Sequence, residues 1–195
     1  MTTAGAAMQA VSHHAEDIVH RVRMNRLGLW LFFFSDGLVF AMLLSARFYM
    51  AGTHTPHEVS QLLGLAITSV LLLSSATAYR GETAIAHGDI AAGRQMLLIT
   101  ILLGLAFAVG VVLEWQNAEW SVAEGYGTAF FSMTGMHAGH VMSGVAILFL
   151  TWRKAGKGYY DQGGVHAYGV SAAVMYWHFV DVVWVFFYPA LYLLR

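Results

Sequence analysis

The feature that most constrains this chain is a series of five apolar runs, each long enough to cross a bilayer and joined by short polar connections. A spanning helix needs about 20 mostly apolar residues to cover about 30 Å of hydrocarbon. Segments at 27–50, 59–79, 95–113, 126–152 and 166–194 meet that requirement. With 58% hydrophobic and 11% charged residues, the chain lies well below the charge content of a soluble domain. The expectation is an all-α integral membrane bundle of five transmembrane helices, one domain over 27–195. Ahead of it, 1–26 reads as a polar arm in which Val11, Ala15, Ile18 and Val22 share one helical face, the pattern of a short surface helix. No short apolar core followed by a small-residue cleavage site marks the arm as a secretory signal.

Positive charge in the connections sets the expected orientation. With the amino terminus cytoplasmic, the inner side collects Arg21, Arg23, Arg26, Arg80, Arg94, Arg153, Lys154 and Lys157, leaving Arg47 and Arg195 outside. Five crossings then place the carboxyl terminus outside. The absence of cysteine excludes disulfides, thiolate metal sites and iron–sulfur clusters from this chain. A formal net charge of -1, with Lys and Arg scattered between apolar runs, implies no nucleic-acid partner.

Polar side chains inside the runs are the candidate sites. In "FFFSDGLVF", Asp36 is an acid in mid-helix, costing roughly 3 kcal/mol on insertion scales unless it is neutral, paired or turned from lipid. It is the candidate proton-exchange residue, the alternative being a hydrogen bond to a hydroxyl on a neighbouring helix. Thr68, Ser69, Ser74, Ser75 and Thr77 on the second run supply such hydroxyls and read as helix-contact residues. Gly135, Gly139 and Ser143, spaced by four, read as a packing seam, and Thr100 is the one polar side chain in the interior of the third run.

Two histidine motifs follow. "TGMHAGHVMSG" puts His137 and His140 on one face, and "WHFVDVVW" puts His178 one turn before Asp181. Histidines converging from different helices could ligate a haem. The simpler expectation is structural polar pairs, with Asp181 accepting from His178, no metal and no catalytic residue in this chain.

Once these motifs are placed, the chain resembles subunit III of the haem-copper oxygen reductases, the cytochrome c and quinol oxidases. "YWHFVDVVWVFFYPALYLL" looks like the family's most characteristic segment, and "GYGTAFFSMTGMHAGHVMSG" is similar to its histidine-bearing helix. "GLWLFFFSDGLVF" resembles the helix carrying the family's intramembrane acid, here Asp36, and "LLITILLGLAFAVGVVLEW" resembles the helix that ends at Glu114. The likeness runs in order from about 27 to 194. Many members have two further helices ahead of the acid-bearing one, so the closer likeness is to the shorter five-helix bacterial form. The family acid is often glutamate, one methylene longer than Asp36, and a glutamate of mitochondrial-type members is replaced by Ser171.

The resemblance implies a non-redox accessory subunit of a proton-pumping, cytochrome c oxidase-type complex in a bacterial cytoplasmic (inner) membrane. Its partners would be catalytic subunit I and subunit II, which would hold the haem and copper, together with membrane lipid and bound phospholipid. The subunit would stabilise the catalytic one and support proton uptake and oxygen access. A quinol oxidase subunit III or an accessory subunit of nitric oxide reductase could carry a similar chain. Readings from other classes are a b-type haem carrier built on His178 with His137 or His140, and a proton-coupled transporter working through Asp36.

Overall fold

The computed structural model describes residues 3–53, 60–160 and 165–194. They form α1 (Thr3–Ala51), α2 (Gln61–Ala86), α3 (Ile90–Gln116), α4 (Gly125–Ala155) and α5 (Val165–Tyr188), followed by a π-helical turn, Pro189–Leu193. No strand occurs among the described residues. All five helices are long and apolar enough to cross a membrane, which agrees with the all-α, five-helix expectation.

Side-chain caps start α2 and α3. Ser60 accepts the Leu63 amide at the start of α2, and Asp89 accepts the Ala92 amide at the start of α3. Gly88, at φ 86°, makes the tight turn between α2 and α3, a conformation that side chains rarely adopt. For this reason α2 runs on through Arg80 and Glu82 to Ala86, past the charge that bounded the expected second span at residue 79. Similarly, α1 is continuous from Thr3 through residue 26, so the polar arm and the first span share one helix. On the apolar face expected for the arm, Ile18 and Val22 are partly buried, while the side chains of Val11 and Ala15 lie outside the described residues. The start of the expected second span at Val59, and Arg195, lie outside them too.

At the other end of the chain the expected single run 166–194 changes character at Pro189. Proline has no N–H to donate to the preceding turn, and the backbone widens so that the Leu194 amide reaches the Pro189 carbonyl at 3.2 Å.

α5 is the centre of the bundle, packing against α1, α2 and α4, while α2 and α3 lie along each other and α3 meets α4. Its Trp177 is fully buried because two helices give way to it. A Cβ at Gly104 of α3 would sit 2.5 Å from the indole, and one at Gly144 of α4 would sit 2.8 Å from it. These glycines, and not the seam expected at Gly135, Gly139 and Ser143, mark the close approach. Gly139 is exposed with no neighbour within 4 Å, because it lies on the opposite side of α4 from the buried stripe of Met133, His137, Val141 and Gly144. α1 leans on α4 and α5 through Phe33 and Phe40, leaving Trp30, Phe34, Leu38 and Met42 exposed.

Candidate functional site

Asp36 finds its partner on α4. Its Oδ2 lies 3.2 Å from Nε2 of His140, with both side chains largely enclosed at 13% and 17% exposure. The hydroxyls of α2 do not take part, because among the described residues α1 packs mainly on α4 and α5. Phe40, one turn on from Asp36, sets its edge against the imidazole at 4.8 Å between ring centres and shields the pair from one side.

The other imidazole nitrogen determines what this contact can be. His140 Nδ1 lies 2.8 Å from the Met136 carbonyl oxygen, an atom that only accepts, so Nδ1 carries a hydrogen. Nε2 stands at ion-pair distance from the carboxylate, but the approach does not make a hydrogen bond, and Oδ2 has no hydrogen-bond partner among the described residues. The contact is an electrostatic one between α1 and α4.

Hydroxyls continue from it toward α5. Ser143 donates to the His140 carbonyl at 2.8 Å, which leaves its oxygen free to accept from the Tyr176 hydroxyl at 2.6 Å. Asp36, His140, Ser143 and Tyr176 thus form one polar strip across α1, α4 and α5.

The three histidines read as candidate ligands look in three directions. His137 is fully buried between Phe107 and Trp184, and neither ring nitrogen has a hydrogen-bond partner among the described residues. One turn later His140 has swung far enough round α4 to meet α1. His178 turns to α2, where its Nδ1 lies 2.6 Å from the Ser75 hydroxyl.

That contact corrects the expected His178–Asp181 pair. Both side chains leave the same helix one turn apart, but His178 is drawn toward α2 by Ser75, and neither oxygen of Asp181 has a hydrogen-bond partner among the described residues although the residue is 3% exposed. The α2 hydroxyls otherwise act as helix contacts. Ser74 accepts the Trp177 indole N–H and Thr68 that of Trp184, each at 2.9 Å, and Thr77 meets Thr100 of α3 at 2.8 Å. Ser69 is the exception: it lies on the exposed side of α2 and donates to the Leu65 carbonyl of its own helix.

A second polar cluster sits at the opposite end of the bundle from the α2–α3 turn, and sequence reasoning missed it. Glu114, 4% exposed, accepts from the Tyr192 hydroxyl at 2.6 Å. Arg47 is fully buried, places its guanidinium 5.1 Å above the Tyr126 ring, and donates to the Gly52 carbonyl just past the end of α1. Tyr126 and Gln61 donate to the Leu191 and Tyr192 carbonyls, which the broken helix end leaves without an intrahelical partner. Both charges were read as markers at the ends of apolar runs. The available signal was phase: Arg47 follows Phe40 by seven residues and Phe33 by fourteen, which puts it on their inward face.

Residues 7–194 match the family model described as cytochrome c oxidase subunit III. The chain is similar to proteins named cytochrome c oxidase subunit 3 from Artemia franciscana (36% identical, 84% of this chain), Thermostichus vulcanus (33%, 95% of this chain) and Rattus norvegicus (34%, 86% of this chain). It spans 60% of the length of the Artemia protein, 68% of the rat protein and 92% of the Thermostichus protein. The chain belongs to the cytochrome c oxidase subunit III family, the accessory subunit III of the haem-copper oxidases.

Proposed function

We propose that this chain serves a proton-pumping oxidase of the cytochrome c type in a bacterial cytoplasmic membrane, packed against subunits I and II, which carry the haem and copper. The amino terminus is cytoplasmic and the carboxyl terminus outside, in keeping with the distribution of Lys and Arg. The part played by this chain's own residues is to hold and exchange a proton at Asp36 and His140. The observation that carries this reading is the 3.2 Å approach of Nε2 to Oδ2 with Nδ1 already committed to a carbonyl. Ser143 and Tyr176 stand beside the pair, bonded to each other and to the His140 backbone carbonyl.

The test is the purified complex carrying Asp36→Asn. The amide can still donate to Nε2, so the helices stay together, but it has no proton to exchange. Assembly is expected to be normal, with sustained turnover and proton uptake weakened most at high pH. Wild-type behaviour in both would end the proton reading. A copper-bearing subunit that co-purifies supports cytochrome c as donor, and a complex without one identifies a quinol oxidase.

A further inference from the structure

Tyr192 holds its phenol against a base in a site closed to solvent. The side chain is fully buried, and its hydroxyl donates to Oε2 of Glu114 at 2.6 Å, the length expected of a hydroxyl on an ionised carboxylate. The other oxygen, Oε1, is buried without a hydrogen-bond partner among the described residues. Two oxidisable rings adjoin Tyr192: the Trp184 indole at 6.4 Å and Tyr188, stacked on it, at 5.2 Å between ring centres. Trp184 is fully buried, and Tyr188 is partly exposed.

The proton acceptor separates Tyr192 from its neighbours. Taking an electron from a phenol makes its hydroxyl strongly acidic, so a base within hydrogen-bond reach lets the electron and the proton leave together. Without a base, a cation stays behind in a site that disfavours charge. Tyr126 donates to the Leu191 carbonyl, which is no base, and the Arg47 guanidinium 5.1 Å over its ring opposes the loss of an electron. The Trp184 N–H donates to the Thr68 hydroxyl, whose own hydrogen is committed to the Gly64 carbonyl. An oxidised Trp184 has no base for its proton, while the adjoining Tyr192 has one.

We propose that Tyr192 and Glu114 are a redox pair that gives one electron, by way of Trp184, to oxygen-derived radicals formed where oxygen is reduced. The oxidant, a hydroxyl or peroxyl radical, gains the electron and becomes hydroxide or a hydroperoxide anion. Trp184 passes through its radical cation and is restored by the electron from Tyr192. The O–H bond of Tyr192 breaks as an O–H bond forms on Oε2 of Glu114, leaving a phenoxyl radical and a carboxylic acid. The pair involves neither Asp36 nor His140, so it stands or falls independently of the proton reading.

The experiment is electron paramagnetic resonance of the purified complex, frozen after flash oxidation by tris(bipyridine)ruthenium with persulfate as the electron sink. The wild type is expected to give a tyrosyl signal that ring-deuterated tyrosine narrows, and that forms severalfold more slowly in D2O because the proton moves with the electron. Tyr192→Phe, which keeps the ring, is expected to lower the tyrosyl yield severalfold, and Tyr126→Phe to leave it unchanged. Glu114→Gln still accepts the hydroxyl through its amide oxygen but cannot take the proton, and is expected to lower the yield severalfold with Tyr192 still seated. A wild-type yield from either Tyr192→Phe or Glu114→Gln would overturn the proposal. Equal rates in H2O and D2O, a measurement that needs no variant, would overturn it too.

Discussion

The Tyr192 hydroxyl donates to Oε2 of Glu114 at 2.6 Å, tying the π-helical turn to the last turn of α3 across 78 residues of sequence. The tie depends on how Tyr192 is seated. A Cβ on Gly64 of α2 would lie 2.5 Å from the Tyr192 ring, so three elements meet at that one side chain. Tyr192→Phe keeps the ring in place but leaves Glu114, already with one oxygen unpartnered, without its hydrogen-bond donor. A loss of about 1–3 kcal/mol is expected, the cost of stranding a buried polar group. It is read as a lower melting temperature in detergent, with Tyr192→Leu worse because it also empties the slot beside Gly64.

On the proposed proton-exchange role, Asp36 and His140 should behave as one unit. Asp36→Asn and His140→Ala are each expected to slow turnover at high pH severalfold, and the double variant little further, since the second change removes a partner already silenced. Additive losses in a double-mutant cycle would show that the two side chains act separately.

Trp177 makes packing at Gly104 asymmetric. Gly104→Ala places a methyl group 2.5 Å from the indole edge and is expected to cost about 1–3 kcal/mol as overpacking. Adding Trp177→Phe shortens the ring and should recover part of that loss, even though it sacrifices the bond to Ser74. Yield and thermal stability of the two single variants and the double variant decide the matter.

For Asp181 the structure reverses the expectation from its position one turn after His178. Both oxygens are buried without a well-formed hydrogen bond among the described residues, with the Ser75 hydroxyl the nearby polar group. Asp181→Asn is expected to be neutral or slightly stabilising. Ser75→Ala, which takes the partner from His178, should cost about 1 kcal/mol or less because His178 is only half-buried. A large loss from Asp181→Asn, seen as poor assembly or early melting, would show that the carboxyl group meets a partner outside this chain.

The helices were legible in the sequence because apolar run length is set by the bilayer, a constraint that acts on each segment alone. Partners were less so, since they depend on which helix stands beside which. Asp36 could be recognised as unusual from "FFFSDGLVF", but only the docking of α1 on α4 selects His140 over the α2 hydroxyls. Thr68, Ser74 and Ser75 bond to α5 side chains, and Ser69, with the same sequence signal, turns to its own helix, a difference of face that small polar residues in an apolar run do not reveal. His178 and Asp181 misled because a one-turn spacing makes pairing possible without requiring it, and a hydroxyl on another helix competes.

The burial of Arg47 changes the electrical shape of the molecule. Folded over Tyr126 and capped by a carbonyl, it presents no cation to the surface. Among the described residues, that end of the bundle exposes Glu119 and Glu124 and no Lys or Arg, while the other exposes Arg21, Arg23, Arg26, Arg80, Arg153, Lys154 and Lys157 against the acids Glu16, Asp17 and Asp89. With the amino terminus in the cytoplasm, as proposed, the chain is a dipole aligned with the field of an energised membrane. Each elementary charge carried the wrong way across 100 mV costs about 2.3 kcal/mol. The respiratory potential that such a complex would generate therefore holds this subunit in the orientation in which it was inserted.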